Sequence, residues 1–131
     1  MKSLLKVTRK AELGLLLVSE LAHRPKSEGP LSLEEVARKA GISRKFLEQV
    51  AGELRREGLI VGVRGAAGGY RLAKDAAELT VAEVLNAVEG PMAIEGCTAH
   101  MPTRVSGVAI IKKVQGQVVA TLMNTTIADL A

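Results

Sequence analysis

Residues 32–58 read SLEEVARKAGISRKFLEQVAGELRREG, and the reading of this stretch decides the fold. Ser32 and Glu35 have the spacing of a capping box, in which each side chain satisfies a backbone N–H of the other residue. Val36 and Ala40 are expected to face inward, and Gly41 to stop the helix after about two turns. After the short link GIS, Ser43 can cap a second helix, RKFLEQVAGELRRE, whose Phe46, Leu47, Val50 and Leu54 form one apolar stripe. Gly58 ends it. Two helices joined by a tight turn containing glycine have the spacing of a helix-turn-helix.

On the N-terminal side, apolar residues at 11, 13, 15–18, 21 and 22 make residues 8–23 a mostly buried helix, with Thr8 as N-cap and Pro25 just beyond its end. RPKSEGP (24–30) is a polar loop. On the C-terminal side, LIVGVR (59–64) and YRLA (70–73) are short β-prone runs separated by GAAGG, which predicts a hairpin with a glycine-rich tip. Three helices followed by a hairpin describe a winged helix-turn-helix. ELTVAEVLNAVEG (78–90) is a further capped helix with Thr80 and Glu83 in capping-box register, ending at Gly90-Pro91. MAIEGCTAHMPT (92–103) is irregular. In VSGVAIIKKVQGQVVATLMN (105–124) apolar positions at 108, 111, 114, 118 and 122 recur about once per helical turn. Gly107 and Gly116 each weaken this helix by about 1 kcal/mol relative to alanine, so its stability is expected to come from packing on a partner. The expected fold is therefore mainly α with a small β-hairpin wing: a winged helix-turn-helix at 1–76, a linking helix and sensor-type loop at 77–104, and a long dimerisation helix and C-terminal tail at 105–131.

Charge is uneven along the chain. Residues 1–74 hold 15 Lys or Arg against 8 Glu, a balance of +7, while residues 75–131 hold 3 against 6, a balance of −3. A basic half suits a polyanionic partner, although a solvated basic surface is the competing reading. No run approaches the roughly 18 to 20 apolar residues of a membrane span. MKSLLKVTRK lacks the long apolar stretch and small-residue cleavage site of a signal peptide, so a cytoplasmic protein is expected.

RGAAGGYRLA (64–73) could be taken for the phosphate loop of an enzyme, but such a loop aims backbone N–H groups from the start of a helix. Here the glycines lead into YRLA, which favours strand, and no Gly-Lys-Ser/Thr occurs. No Ser/His/Asp, paired-carboxylate or metal-ligand constellation stands out, so an enzyme is not expected. A tip built on Gly65, Gly68 and Gly69 and flanked by Arg64 and Arg71 is a narrow, positively charged wedge suited to the minor groove. A plain turn needing positive φ is the alternative. The second helix of the pair begins Ser43-Arg44-Lys45, where side chains of a recognition helix reach base edges in the major groove. Arg44 can pair bidentately with guanine, Ser43 and Lys45 can bind bases or phosphates, and Gln49 can read adenine. Ser32, and Thr8, Arg9 and Lys10 at the first helix, can meet phosphates from helix N-termini, or be plain caps and solvated charges. Arg55 and Arg56 are read as solvated cations near a helix C-terminus.

The set TRKAELGLLLVSELA, SLEEVARKAGISRKFLEQVAGELRREGLI, RGAAGGYRLA, LTVAEVLNAVEGP and TTIADLA resembles the IscR/NsrR/CymR-type (Rrf-two type) winged-helix transcription regulators of bacteria, over nearly the whole chain. The resemblance implies a homodimer whose long helix crosses its twofold mate, most often repressing genes at near-palindromic operators on double-stranded DNA. It places Ser43 to Lys45 in the major groove and Arg64 to Arg71 in the minor groove.

Many members of that family bind an iron–sulfur cluster through three cysteines between the EGP motif and the dimer helix. This chain departs from the pattern. Cys97, its one cysteine, stands where the first ligand is expected, and MPTR (101–104) stands where a CPTR-like segment would supply the last. Met101 is a poor substitute for a thiolate, and two of the three cysteine ligands are absent. No cofactor is therefore expected. Cys97 is open to three readings: a structural or vestigial cysteine, a lone redox-reactive thiol, or a ligand completed by His100 or by the twofold mate. The protein is expected to be a homodimeric repressor without the usual cluster site. The alternatives are an iron–sulfur or thiol redox-sensing regulator using Cys97 with non-standard ligands, and a winged-helix interaction module without a sensor.

Overall fold

The structure is a computed structural model that describes residues 8–66, 68–90 and 106–130. Helix α1 (Arg9–His23) starts where Thr8, in extended backbone, accepts the Ala11 N–H on its hydroxyl at 3.1 Å. It buries Ala11, Leu13, Gly14, Leu17, Val18 and Leu21 on one face and ends as Arg24 returns to extended backbone before Pro25. The polar loop makes one 3-10 turn, Lys26–Glu28, and the Arg24 guanidinium donates to the carbonyls of Glu28 and Gly29.

Helix α2 (Leu33–Ala40) is capped by Ser32, whose hydroxyl accepts the Glu35 N–H at 3.2 Å, and is stopped by Gly41 at φ 67°, the left-handed backbone that favours glycine. Two expectations are corrected here. Only half of the capping box forms, because the Glu35 carboxylate turns to Arg24 at 3.5 Å. The inward positions are Leu33, Val36 and Ala37, with Ala40 exposed, since a helix presents i, i+3 and i+4 to one side. Helix α3 (Arg44–Arg56) is capped by Ser43 and buries Leu47, Val50, Ala51 and Leu54, with Phe46 half-buried beside them.

Strands β1 (Ile60–Val63) and β2 (Gly69–Leu72) pair antiparallel, Ile60 opposite Leu72 and Val63 opposite Gly69. Leu31, just before α2, extends the hairpin by one residue: its N–H donates to Tyr70 O at 3.0 Å and its carbonyl accepts from Tyr70 N at 2.8 Å. The hairpin is thereby tied to the start of the helix-turn-helix rather than hanging from α3 alone.

Helix α4 (Val81–Glu89) has the full capping box between Thr80 and Glu83 that its spacing predicts. It packs on α1 so closely that a Cβ on Gly14 would stand 3.2 Å from Val88 Cγ1. Helix α5 (Ser106–Asn124) forms despite Gly107 and Gly116. Its expected apolar face is covered unevenly: Leu122 packs against the core and Val118 is half-buried, while Ile111 and Val114 are exposed. After it the chain turns back. The Thr125 carbonyl accepts from Val81 N, Ile127 N donates to Leu79 O, and helix α6 (Ile127–Leu130) drops Ile127, 3% exposed, into the core cluster that also holds Leu79 and Val84. The C-terminal segment is thus part of the winged-helix core, which local periodicity did not indicate. Around α6, Asp129 accepts from the Thr126 N–H at 2.9 Å, and this bond, with the Thr126 hydroxyl, holds its carboxyl below the usual aspartate range.

Candidate nucleic-acid interface

Helix α3 divides cleanly into an inner and an outer side. Leu47, Val50 and Leu54 are fully buried, while Arg44, Lys45, Glu48, Gln49, Arg55 and Arg56 are exposed. The Ser43 hydroxyl accepts the Phe46 N–H at 3.3 Å and so starts the helix with Arg44 and Lys45 in its first turn. Arg44 is held between two carboxylates: Nε donates to Glu48 Oε1 at 3.1 Å, and Nη1 lies 3.6 Å from Glu34 of α2. The sequence reading did not anticipate these partners, although the i, i+4 spacing of Arg44 and Glu48 was available. Lys45 and Gln49 have no side-chain partner among the described residues.

In the wing, Arg64 follows β1 and Arg71 lies on β2 opposite Val61. All three side chains are exposed, and neither arginine is ion-paired among the described residues. Each described glycine of the wing tip has its own structural reason. Gly65 sits at φ 118°. A Cβ on Gly68 would stand 2.5 Å from the Val63 carbonyl oxygen, and one on Gly69 2.4 Å from that of Leu31. The last two are therefore required by the close approach of backbones.

The remaining sequence-selected residues are already engaged. Thr8 caps α1 and donates its hydroxyl to the carboxylate of Glu89 at the end of α4. Arg9 pairs with Glu12, Ser32 caps α2, and Lys10 turns to Glu53 of α3 at 2.7 Å. Between wing and α4, Lys74 pairs with Glu83. Burial works against ionisation of Glu83, but the Lys74 ammonium and the Thr80 N–H and hydroxyl together hold its carboxyl below the usual range. No group of three or more His, Cys, Asp or Glu among the described residues could hold a metal ion. Cys97, His100 and Met101 lie outside the described residues.

A helix pair with an exposed basic start to its second helix, followed by a hairpin flanked by arginines, defines a winged helix-turn-helix of the DNA-binding regulator class. The sequence model of the Rrf2 family, described as "Iron-dependent Transcriptional regulator", matches residues 7–131, and the chain belongs to that family. It is 32% identical over 128 residues to the HTH-type transcriptional regulator CymR of Bacillus subtilis (strain 168), spanning 97% of this chain and 90% of that protein. The solved structure of CymR (YrzC), titled the global cysteine regulator of B. subtilis, superposes with a TM-score of 0.81 at 32% identity, covering 98% of this chain and 97% of that one. The structure titled T. potens IscR gives a TM-score of 0.79 at 32% identity, with 96% and 85% covered. The protein is an Rrf2-family transcriptional regulator, a non-enzymatic class. No helix among the described residues is long and apolar enough to cross a membrane.

Proposed function

We propose that the protein acts as a homodimeric, sequence-specific repressor at a near-palindromic operator, without the three-cysteine cluster site. The observation that carries this reading is α3, anchored by a fully buried inner side and presenting Arg44, Lys45 and Gln49 outward from a capped N-terminus. In the proposed complex these side chains read base edges in the major groove, and Ser43 adds a hydroxyl for a base or phosphate. Arg64 and Arg71 enter the minor groove on a tip kept narrow by Gly65, Gly68 and Gly69. Thr8, Arg9 and Ser32 contribute at helix N-termini, Thr8 and Ser32 through backbone N–H groups because their hydroxyls serve as caps.

The second copy is supported by α5, where Ile110 is 64% exposed, Ile111 45% and Val114 53% along one side of the helix. A row of large apolar side chains at this exposure is covered most economically by the same helix of a twofold mate. Two recognition helices then meet major grooves about 34 Å apart. One thiolate per chain does not fit a three-thiolate cluster.

The test is selection from random duplexes, followed by titration in rising salt. A near-palindromic consensus and an affinity that falls steeply with salt are expected. No consensus and a flat salt response would sink the reading. Iron and sulfide content after anaerobic purification, with Cys97→Ala alongside, tests the cofactor: a metal-free protein that still binds DNA is expected. Iron and sulfide lost in the variant would establish a sensor with an unusual ligand set.

A further inference from the structure

Lys10 and Glu53 form a contact that the DNA-binding reading does not use. Nζ of Lys10, in the first turn of α1, lies 2.7 Å from Oε1 of Glu53, in the last turn of α3. The Glu53 side chain is 17% exposed, the least of any ion-pair member among the described residues, and that of Lys10 is 34% exposed. Oε2 of Glu53 is buried and has no donor, the single buried side-chain atom so placed among the described residues.

Three physical effects count against this pair as a source of stability. Burial strips most of the water from the Glu53 carboxylate and part of it from the Lys10 ammonium. The second carboxylate oxygen is left without the donor it would find in water. A carboxylate in the last turn of a helix also opposes the helix dipole. An apolar pair of similar volume would hold the two helices together at least as well.

Apolar side chains lack one property that this pair has, which is direction. Leu47, Val50, Ala51 and Leu54 press α3 onto the core through contacts with no preferred direction, whereas the Lys10–Glu53 hydrogen bond ties one point near the start of α1 to one point near the end of α3. With side chains reaching about 5–6 Å from a helix axis, a rotation of roughly 10° moves their ends by about 1 Å. Such a shift separates a good hydrogen bond to a base edge from none. Phosphate attraction is long-ranged and hardly senses it.

Resting on the proposed function above, we infer that Lys10 and Glu53 are a positioning pair: they set the orientation of the recognition helix, and with it base discrimination, at some expense of stability. They contact no DNA themselves.

The test uses the full chain, an operator selected by the wild type and an unrelated duplex. The double variant Lys10→Met/Glu53→Leu is expected to melt at or above the wild-type temperature and to bind unrelated DNA with unchanged affinity and salt slope. Its preference for operator over unrelated DNA is expected to fall at least about ten-fold, the scale of one lost base contact. The reversed pair, Lys10→Glu/Glu53→Lys, recovers most of that preference. A preference within about two-fold of wild type in the apolar double variant overturns the inference. So does a melting temperature that drops in step with the preference, which would make the pair structural. A salt slope lowered by about one in Lys10→Met would make Lys10 a phosphate contact and overturn it too. If the wild type selects no operator, the DNA reading itself fails and the inference with it, an outcome distinct from a wild type that discriminates and a variant that discriminates equally well.

Discussion

Replacing Gly69 by alanine tests how the wing is held. The added Cβ would meet the Leu31 carbonyl oxygen at 2.4 Å, the Leu31 carbonyl carbon at 2.5 Å and Ser32 N at 2.9 Å. All three are backbone atoms, so no rotamer change can relieve the overlap. Restoring an ordinary contact of about 3.5 Å requires the two segments to part by about 1 Å. The paired hydrogen bonds between Leu31 and Tyr70, now 2.8 and 3.0 Å, would stretch to roughly 4 Å and be lost. Two such bonds contribute about 1–3 kcal/mol together. At a few degrees per kcal/mol, the melting temperature by circular dichroism is expected to fall by about 3 to 15 °C. Operator affinity should fall as the wing loses its seat beside α2. Gly62→Ala is the matched control, because its Cβ would meet only the Tyr70 ring at 3.7 Å, and a change within about 1 kcal/mol of either sign is expected. If Gly69→Ala melts within a degree or so of wild type, or if Gly62→Ala is the more damaging, the account of the Leu31 bridge is wrong.

Other outcomes follow from the same geometry. Arg44→Ala should weaken operator binding by about 1–3 kcal/mol and relax preference at one base position, whereas Arg64→Ala should weaken all sequences more evenly; gel-shift titrations on operator and scrambled duplexes separate the two, and no effect from either would refute the assigned roles. Ile127→Ala removes a side chain 3% exposed from the core, where α6 packs on α1, and should cost about 2–5 kcal/mol by urea unfolding. A cost under about 0.5 kcal/mol would mean that the C-terminal turn is not part of the core. Glu83 has its carboxyl held below its ordinary value, so its contribution is fully present above that value and is lost as pH falls through the folded one. The stability gap between wild type and Glu83→Ala, about 1 kcal/mol at neutral pH, should close as the pH drops below about 4. A gap independent of pH would show that the ionised carboxylate is not what closes the capping box of α4.

Much of this protein was legible before any coordinates. Thr8, Ser32, Ser43 and Thr80 cap their helices, Gly41 stops α2 and the glycine-rich tip joins two strands, because each signal acts within a turn or two of itself. The motif set RGAAGGYRLA and LTVAEVLNAVEGP likewise pointed to the family that the match over residues 7–131 then showed. Of the two misreadings in α2, that of Ala40 was one of helical phase, while at Glu35 a residue beyond the helix intervened: Arg24 drew its carboxylate out of the capping box.

What only the tertiary structure decided is which segments approach which. Gly69 is glycine because of Leu31, and Gly14 fits α1 against Val88 of α4. Ile127 completes a core begun more than a hundred residues earlier, and Lys10 finds a carboxylate on the recognition helix rather than solvent. Caps and periodicities are set by neighbours along the chain, so the sequence by itself determined them. The approach of two backbones and the partner of a buried charge depend on how every helix packs at once, and no local pattern carries that information.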